Sequence, residues 1–160
     1  MVKVIKKFFA FLFLFISACT LGVVFSACGA SDAVLLEATH FAHPYPKDKE
    51  TWFETSITIL HNGECEVVKK NKDENGNIVT KQYFYELTSF SMDMVNISFG
   101  ERFIEHQDVS RHKNKEQWVI KYYDENGELI FDYSGLADNE ALKQKFLILS
   151  SLIVAPLLMN

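Results

Sequence analysis

Apolar and polar residues alternate along much of the chain, with a period of two that is typical of β-strands with one buried face. Ile57 and Ile59 alternate with polar neighbours, and after the segment at residues 61–63 the alternation resumes with Cys65 and Val67. A tight turn over this segment, with its glycine in the left-handed conformation as a bulge, pairs Ile59 with Cys65. The pattern therefore predicts a β-hairpin with these four residues on one face, because a slip of one residue would invert every side chain.

The tetrapeptide Asp-Glu-Asn-Gly occurs at residues 73–76 and 124–127, each time between strand-like runs. Asn-Gly favours tight turns, so each copy predicts a further hairpin. Calcium binding is the alternative interpretation, but the repeat lacks the spaced oxygen ligands and closing glutamate of a calcium loop. The second of these hairpins has apolar residues on both faces and is expected to be buried on both sides. The runs expected to pair are 69–71 with 79–81, and 118–123 with 129–133.

The segments around these hairpins are less regular. Residues 94–99 alternate and predict a strand, with residues 102–106 returning antiparallel to it, and residues 108–116 are polar and predict a loop. After Asp138, a candidate N-cap, apolar residues recur at helical spacing up to Pro156, which is expected to end the helix. We expect this helix to dock on the sheet, with membrane contact as the alternative. Its apolar face consists of Leu142, Phe146, Leu149 and Ile153.

Hairpins followed by a single helix predict the α+β class. The expected architecture is an antiparallel β-meander of about six to eight strands with a C-terminal helix. Such a sheet can stay open, with the helix on one face, or close into a barrel that resembles a lipocalin in outline. A closed barrel could hold one small apolar ligand, whereas an open sheet would leave no cavity under the helix.

The N-terminal region has the organisation of a secretory signal. Three lysines precede an apolar run at residues 8–27, and small residues precede Cys28. The segment Phe25-Ser26-Ala27-Cys28 resembles the lipobox of bacterial lipoproteins. This resemblance implies cleavage between Ala27 and Cys28. It also implies a diacylglyceryl group on the Cys28 thiol, with fatty acyl chains such as palmitate.

Two alternatives to this processing remain open. Ile16-Ser17-Ala18-Cys19 also resembles a lipobox, but cleavage before Cys19 would leave apolar residues exposed on the mature chain. The run at residues 8–27 also approaches the ~20 apolar residues of a membrane-spanning helix, so it could remain as an uncleaved anchor. Both the lipid and the helical anchor would place the rest of the chain on the extracytoplasmic face of the cell membrane.

These signals divide the chain into three parts. Residues 1–27 are the predicted signal peptide, residues 28–51 a lipidated tether, and residues 52–160 a β-rich ectodomain. Pro44 and Pro46 favour an extended backbone in the tether. The folded domain is therefore expected to begin near Trp52, with the tether acting as a spacer from the membrane.

The charge of the predicted mature chain disfavours nucleic acid as a partner. Three of the 16 basic residues precede Cys28 and all 21 acidic residues follow it, which leaves 13 basic and 21 acidic residues and a net charge of −8. Nucleic-acid binding requires clustered Lys and Arg. With Cys28 acylated and Cys19 removed, Cys65 is a single thiol and no disulfide framework is possible.

Few residues of the chain suggest a catalytic or metal-binding role. His40 and His43 lie three residues apart, but two ligands do not complete a tetrahedral metal site. His106, Asp108 and His112 would act as acid, base or metal ligands if one strand face presented all three, whereas a solvated loop is the simpler interpretation. No cofactor is expected, because the chain has no glycine-rich phosphate loop, serine nucleophile elbow or paired metal-binding motif.

These observations predict an exported lipoprotein that is held at the membrane by its lipid. Its domain is expected to be non-catalytic and to bind a protein or small ligand, or to have an envelope-associated role. One alternative is a small exported hydrolase or metal-dependent enzyme built on His106, Asp108 and His112. The other alternative is a signal-anchored membrane protein with a structural role.

Overall fold

The computed structural model of the chain describes residues 32–42, 52–110 and 115–158, with side chains up to residue 154. Within these ranges the chain forms seven strands and two α-helices, which is the predicted α+β class. The strands are β1 (Val34–Ala42), β2 (Phe53–Leu60), β3 (Glu64–Lys72), β4 (Ile78–Glu86), β5 (Phe103–His106), β6 (Glu116–Tyr123) and β7 (Leu129–Leu136). The helices are α1 (Ser89–Phe99) and α2 (Lys143–Leu158), and a short 3-10 helix (Glu140–Leu142) precedes α2.

The seven strands form one sheet in the order β4-β3-β2-β1-β6-β7-β5. β5 pairs in parallel with β7, and the other neighbouring strands pair antiparallel. In the described part of the chain β4 and β5 are the two edges, so the sheet is open and the barrel alternative does not apply. The predicted antiparallel meander is correct for β1 to β4, while β5 makes the sheet mixed.

The predicted hairpin registers are confirmed. Ile59 pairs with Cys65 and Ile57 with Val67, and Gly63 has the positive φ of +92° that the bulged turn requires. In the next hairpin Cys65 pairs with Tyr85. Turn chemistry therefore set the register of this half of the sheet.

Both Asp-Glu-Asn-Gly segments form turns, as predicted. In the first, Asp73 Oδ1 accepts hydrogen bonds from the backbone N–H groups of Asn75 at 2.9 Å and Asn77 at 2.8 Å. Asp124 makes the same pair of contacts in the second turn, with Asn126 and Glu128. These backbone hydrogen bonds lower the pKa of both aspartates. The oxygens of these aspartates satisfy the turn backbone.

The predicted start of the folded domain at Trp52 is wrong. β1 lies between β2 and β6, and its Leu36 pairs with Ile59 on one side and with Tyr122 on the other. Leu36 is fully buried, at 0% exposure. Residues 34–42 therefore belong to the sheet and not to a tether, and residues 43–51 lie outside the described residues.

The predicted strand at residues 94–99 is also wrong, because these residues belong to α1. Thr88 caps this helix, and its Oγ1 accepts a hydrogen bond from the backbone N–H of Ser91 at 3.2 Å. Val95 and Phe99, four residues apart, are both 0% exposed. A short alternation of apolar residues fits either a strand or a helix. The N-cap and the four-residue spacing of the buried residues identify a helix here. β5 accordingly pairs with β7 in parallel.

The C-terminal helix docks on the sheet as predicted. The whole predicted apolar face is buried, namely Leu142, Phe146, Leu149 and Ile153. Asn139 provides the cap in place of Asp138, since its Oδ1 accepts a hydrogen bond from the backbone N–H of Ala141 at 3.1 Å. α2 also continues through position 156 to Leu158, so the prediction that Pro156 ends the helix is wrong. Neither helix of the described residues is both long and apolar enough to cross a membrane.

The β6–β7 hairpin is central but is not buried on both sides as predicted. Trp118, Ile120 and Tyr122 are buried under the helices. Val119 and Lys121, which alternate with them, are only half-buried. β6 therefore has one face in the core and one face directed away from the helices.

Candidate functional site

The sheet has two different faces. One face lies under α1 and α2 and carries the core. Directly paired residues of five neighbouring strands form a row on this face, namely Cys65, Ile59, Leu36, Tyr122 and Phe131. The opposite side, which we call the open face, carries the alternate residues. Its matching row across six strands consists of Phe84, Glu66, Thr58, Glu37, Lys121 and Asp132.

A cavity lies on the open face where β2, β3 and β4 meet the β2–β3 turn. Its volume is about 680 Å³, within the size range of small-ligand sites. The strand order places it at the β4 edge of the sheet. The residues that line it are Thr58, Leu60, Asn62, Glu64, Cys65, Glu66, Phe84, Tyr85 and Glu86.

The cavity combines three carboxylates with an exposed aromatic ring. Glu64 pairs directly with Glu86 across β3 and β4, and Glu66 pairs with Phe84. Like charges directly opposite each other destabilise a sheet. Phe84 is 72% exposed. The described lining of the cavity includes no basic side chain. The cavity therefore favours a ligand that has both a positive charge and an apolar part.

Polar hydrogen bonds organise the neighbouring part of the open face. Gln82 donates a hydrogen bond from Nε2 to Oε1 of Glu66, which orients this carboxylate. Lys70 Nζ lies 2.7 Å from Glu54 Oε1 and forms an ion pair at the opposite end of the same strands. The positive charge of Lys70 is thus directed to Glu54 rather than to the cavity.

A second, smaller concavity adjoins the first, because Thr58 lines both. It has a volume of about 340 Å³ and extends across β1 to β6, where Glu37 and Lys121 contribute opposite charges. Thr39 Oγ1 donates a hydrogen bond to Ser56 Oγ at 3.4 Å within it. The two concavities together run from the β4 edge to the centre of the sheet.

His40, one of two candidate metal ligands, lies in an aromatic stack. Its ring is parallel to Trp118 at 4.4 Å between centroids, and its Nε2 lies 3.0 Å from Glu116 Oε2. Burial lowers the pKa of His40, and Glu116 partly opposes this effect. His43 lies outside the described residues. Among the residues that are described, no group of three His, Cys, Asp or Glu side chains is arranged to hold a metal ion.

His106, the first residue of the predicted catalytic group, has a partner that the sequence did not indicate. Its Nε2 lies 2.9 Å from Oδ2 of Asp132 on the neighbouring β7. Asp108 follows β5 in a loop, where its Oδ1 accepts a hydrogen bond from the backbone N–H of Ser110 at 3.0 Å. His112 lies outside the described residues, so the three-residue group stays a prediction.

Cys65 lies in the core, as the hairpin register predicts. Its side chain is 2% exposed, and burial raises its pKa to about 11. A thiol with such a pKa is almost entirely protonated at neutral pH, and the thiolate is the nucleophilic form. Cys65 therefore packs as an apolar residue.

Sequence reasoning did not single out Phe84, whose ring is exposed on the open face. The signal was present in the predicted register, because pairing Tyr85 with Cys65 directs Phe84 to the opposite face. The carboxylate cluster was harder to find, since Glu86 and Glu64 meet only through the β3–β4 pairing.

The fold and the site define a small α+β domain with an open, mixed sheet and an acidic, concave face. Comparison of the sequence with models of known families and with curated proteins finds no match. A proposal for its function therefore rests on the arrangement of the described residues.

Proposed function

We propose that this protein is a bacterial lipoprotein, anchored through lipid on Cys28, whose domain binds a basic segment of a protein partner on its open face. The supporting observation is the cavity in which exposed Phe84 lies among Glu64, Glu66 and Glu86. The lipobox-like segment before Cys28 supports the anchor and the extracytoplasmic location.

Charge complementarity favours a basic partner. Carboxylates attract Lys and Arg, and the face of an aromatic ring adds a cation–π contact with the same groups. Because the cavity is on the surface of the sheet, an extended peptide can cross it without any opening of the core. The mature chain also has a net charge of −8, which steers basic partners toward it.

The shift of the domain start to β1 shortens the proposed tether. Only residues 29–33 lie between Cys28 and Val34, the first residue of β1. At roughly 3.3 to 3.6 Å per residue, the distance from Cys28 to Val34 is at most about 20 Å. The domain would therefore act next to the bilayer, and its partner must reach or reside at the membrane surface.

Oligolysine tests the open face directly, with oligoglutamate as the control peptide. We expect the lipidated protein in phosphatidylcholine vesicles to bind oligolysine, with affinity that falls as salt rises. Phe84→Ser and Glu66→Gln should each weaken binding on the order of tenfold, because each removes one of the two contact types.

Two matched variants serve as controls. Ile104→Ser removes an apolar side chain that is also exposed, at 58%, but lies on β5 at the other edge of the sheet. Glu125→Gln removes an exposed carboxylate from the β6–β7 turn. Both should bind oligolysine like the wild type. Equal weakening by all four substitutions, or equal binding of both peptides by the wild type, would contradict the proposal.

A further inference from the structure

Helix α1 crosses the sheet at the end where β1 begins. The row nearest that end contains Leu36, which pairs with Tyr122, which in turn pairs with Phe131. Tyr122 donates a hydrogen bond from its hydroxyl group to Oδ1 of Asn96 on α1 at 3.2 Å. Phe99, at the end of α1, packs edge-on against Phe131 at 5.2 Å. α1 therefore lies over the first row of the sheet.

Backbone hydrogen bonds tie the start of α1 to the same end. The N–H of His61, in the β2–β3 turn, donates to the carbonyl of Ala33, the residue immediately before β1, at 3.0 Å. The N–H of Leu87, just before the α1 cap, donates to the carbonyl of Gly63 in that turn at 2.9 Å. The chain that enters β1 and the beginning of α1 thus flank one turn.

The outer side of α1 carries a ridge of exposed apolar residues. Phe90, Met94 and Ile97 recur at helical spacing and are 73%, 37% and 79% exposed, and we call them the α1 ridge. The buried residues Val95 and Phe99 occupy the other side of the helix. Asp93 is the single charged residue of α1. Exposed apolar residues grouped on one side of a helix are a candidate interaction surface.

The short tether indicates what covers the ridge. Cys28 can lie at most about 20 Å from Val34 when fully extended, whereas a domain of this size is on the order of 30 Å across. A lipid on Cys28 would thus keep the end of the domain that carries α1 within about 20 Å of the bilayer. The opposite end of the sheet is farther from the anchor.

We propose that the α1 ridge is a bilayer-contact surface, with Phe90, Met94 and Ile97 inserted at the headgroup boundary of the lipid. This inference rests on the proposed anchor at Cys28. An apolar helix face at the interface adds a second membrane signal to the lipid chains. It would also fix the orientation of the domain, with the acidic cavity on the side of the sheet away from α1.

The charge of this end specifies the lipid. Glu64, Glu86 and Asp124 lie at the strand ends and turns near the start of β1, and carboxylates are repelled by anionic headgroups. The ridge should therefore insert more deeply into phosphatidylcholine than into bilayers rich in phosphatidylglycerol.

Tryptophan depth probes test the inference. Three variants of the lipidated mature protein each carry one substitution: Phe90→Trp, Ile97→Trp or, as a control on the open face, Phe84→Trp. Each variant is placed in phosphatidylcholine vesicles whose acyl chains are brominated and quench tryptophan fluorescence. The native Trp52 and Trp118 are 9% and 1% exposed, so wild-type protein provides the background. We expect quenching at positions 90 and 97 and wild-type quenching at position 84.

The outcomes separate this inference from the proposed function. If mass spectrometry shows lipid on Cys28 but positions 90 and 97 are not quenched, the ridge inference is wrong and the anchor stands. If Cys28 carries no lipid, the anchor itself is wrong. Cross-linking of cysteines placed at position 97 between two copies in the vesicles would show that a second copy covers the ridge, which also overturns the inference.

Discussion

His40 shows how a residue that resembles a metal ligand can instead be a half-buried member of an aromatic stack. Its ring stacks on Trp118, and Trp118 stacks in turn on Phe146 of α2 at 5.7 Å. Phe53 packs edge-on against the His40 ring at 4.9 Å. The imidazole therefore extends an aromatic stack from the helix to the rim of the sheet, a position in which the neutral ring packs best.

The lowered pKa of His40 predicts a pH-dependent stability. Below its ordinary pKa of about 6.5 the unfolded chain binds a proton that the folded chain resists, so stability is lost as pH falls through this range. Denaturant unfolding should give a lower free energy of unfolding at acidic than at neutral pH. His40→Phe should reduce this difference, because it removes the proton-binding group and keeps an aromatic ring.

An equal pH dependence in the wild type and in His40→Phe would show that His40 does not contribute to it.

At the level of elements, local signals were sufficient for the hairpins and insufficient for the rest. Gly63 and the two Asp-Glu-Asn-Gly segments fixed turns and registers from a few neighbouring residues. The parallel β5–β7 pairing and the central position of β1 depend on residues far apart in the chain. No periodicity in β1 or β5 specifies which strand will be the neighbour.

The carbonyl that Pro156 leaves without a helical donor has another partner. Proline has no N–H, so it leaves the carbonyl four residues earlier, that of Leu152, without its usual helical donor. The hydroxyl group of Tyr85 on β4 donates a hydrogen bond to this carbonyl. A side chain of the sheet thus supplies the donor that the helix lacks.

This account predicts the effect of removing one hydroxyl group. Tyr85→Phe should lower the free energy of unfolding by about 1 to 3 kcal/mol, because a buried carbonyl loses its donor. The loss should be smaller in a Pro156→Ala background, where the helix backbone provides an N–H for Leu152. Tyr83→Phe, two positions away on the same strand, is the control. Equal costs in both backgrounds, measured by denaturant unfolding, would contradict this explanation.

For the whole molecule, the main revision concerns which part of the chain is the domain. The sequence placed residues 28–51 outside the fold because of Pro44 and Pro46, whereas β1 occupies the centre of the sheet. The acidic cavity likewise depends on the assembled sheet, since β2, β3 and β4 all contribute to it. Composition and turn chemistry predicted the class of fold, and the site required the three-dimensional register.

A pair of neighbouring substitutions tests whether β1 is part of the fold. Ala38 is 3% exposed and pairs with Ile57 and Ile120, so Ala38→Asp buries an unpaired charge and should destabilise the domain by more than about 3 kcal/mol. The adjacent Glu37 is exposed on the open face, and Glu37→Gln should change stability by less than about 0.5 kcal/mol. Thermal unfolding that is equal for both variants would place residues 34–42 in a tether after all.

The N-terminus of the protein recovered from membranes tests the central claim most directly. Mass spectrometry of the N-terminal peptide should show a chain that begins at Cys28 and carries a diacylglyceryl thioether. Cys28→Ala should leave an uncut precursor, while Cys19→Ala should be processed normally. Recovery of the wild-type protein with residues 8–27 intact would contradict the lipid anchor and would favour a helical one.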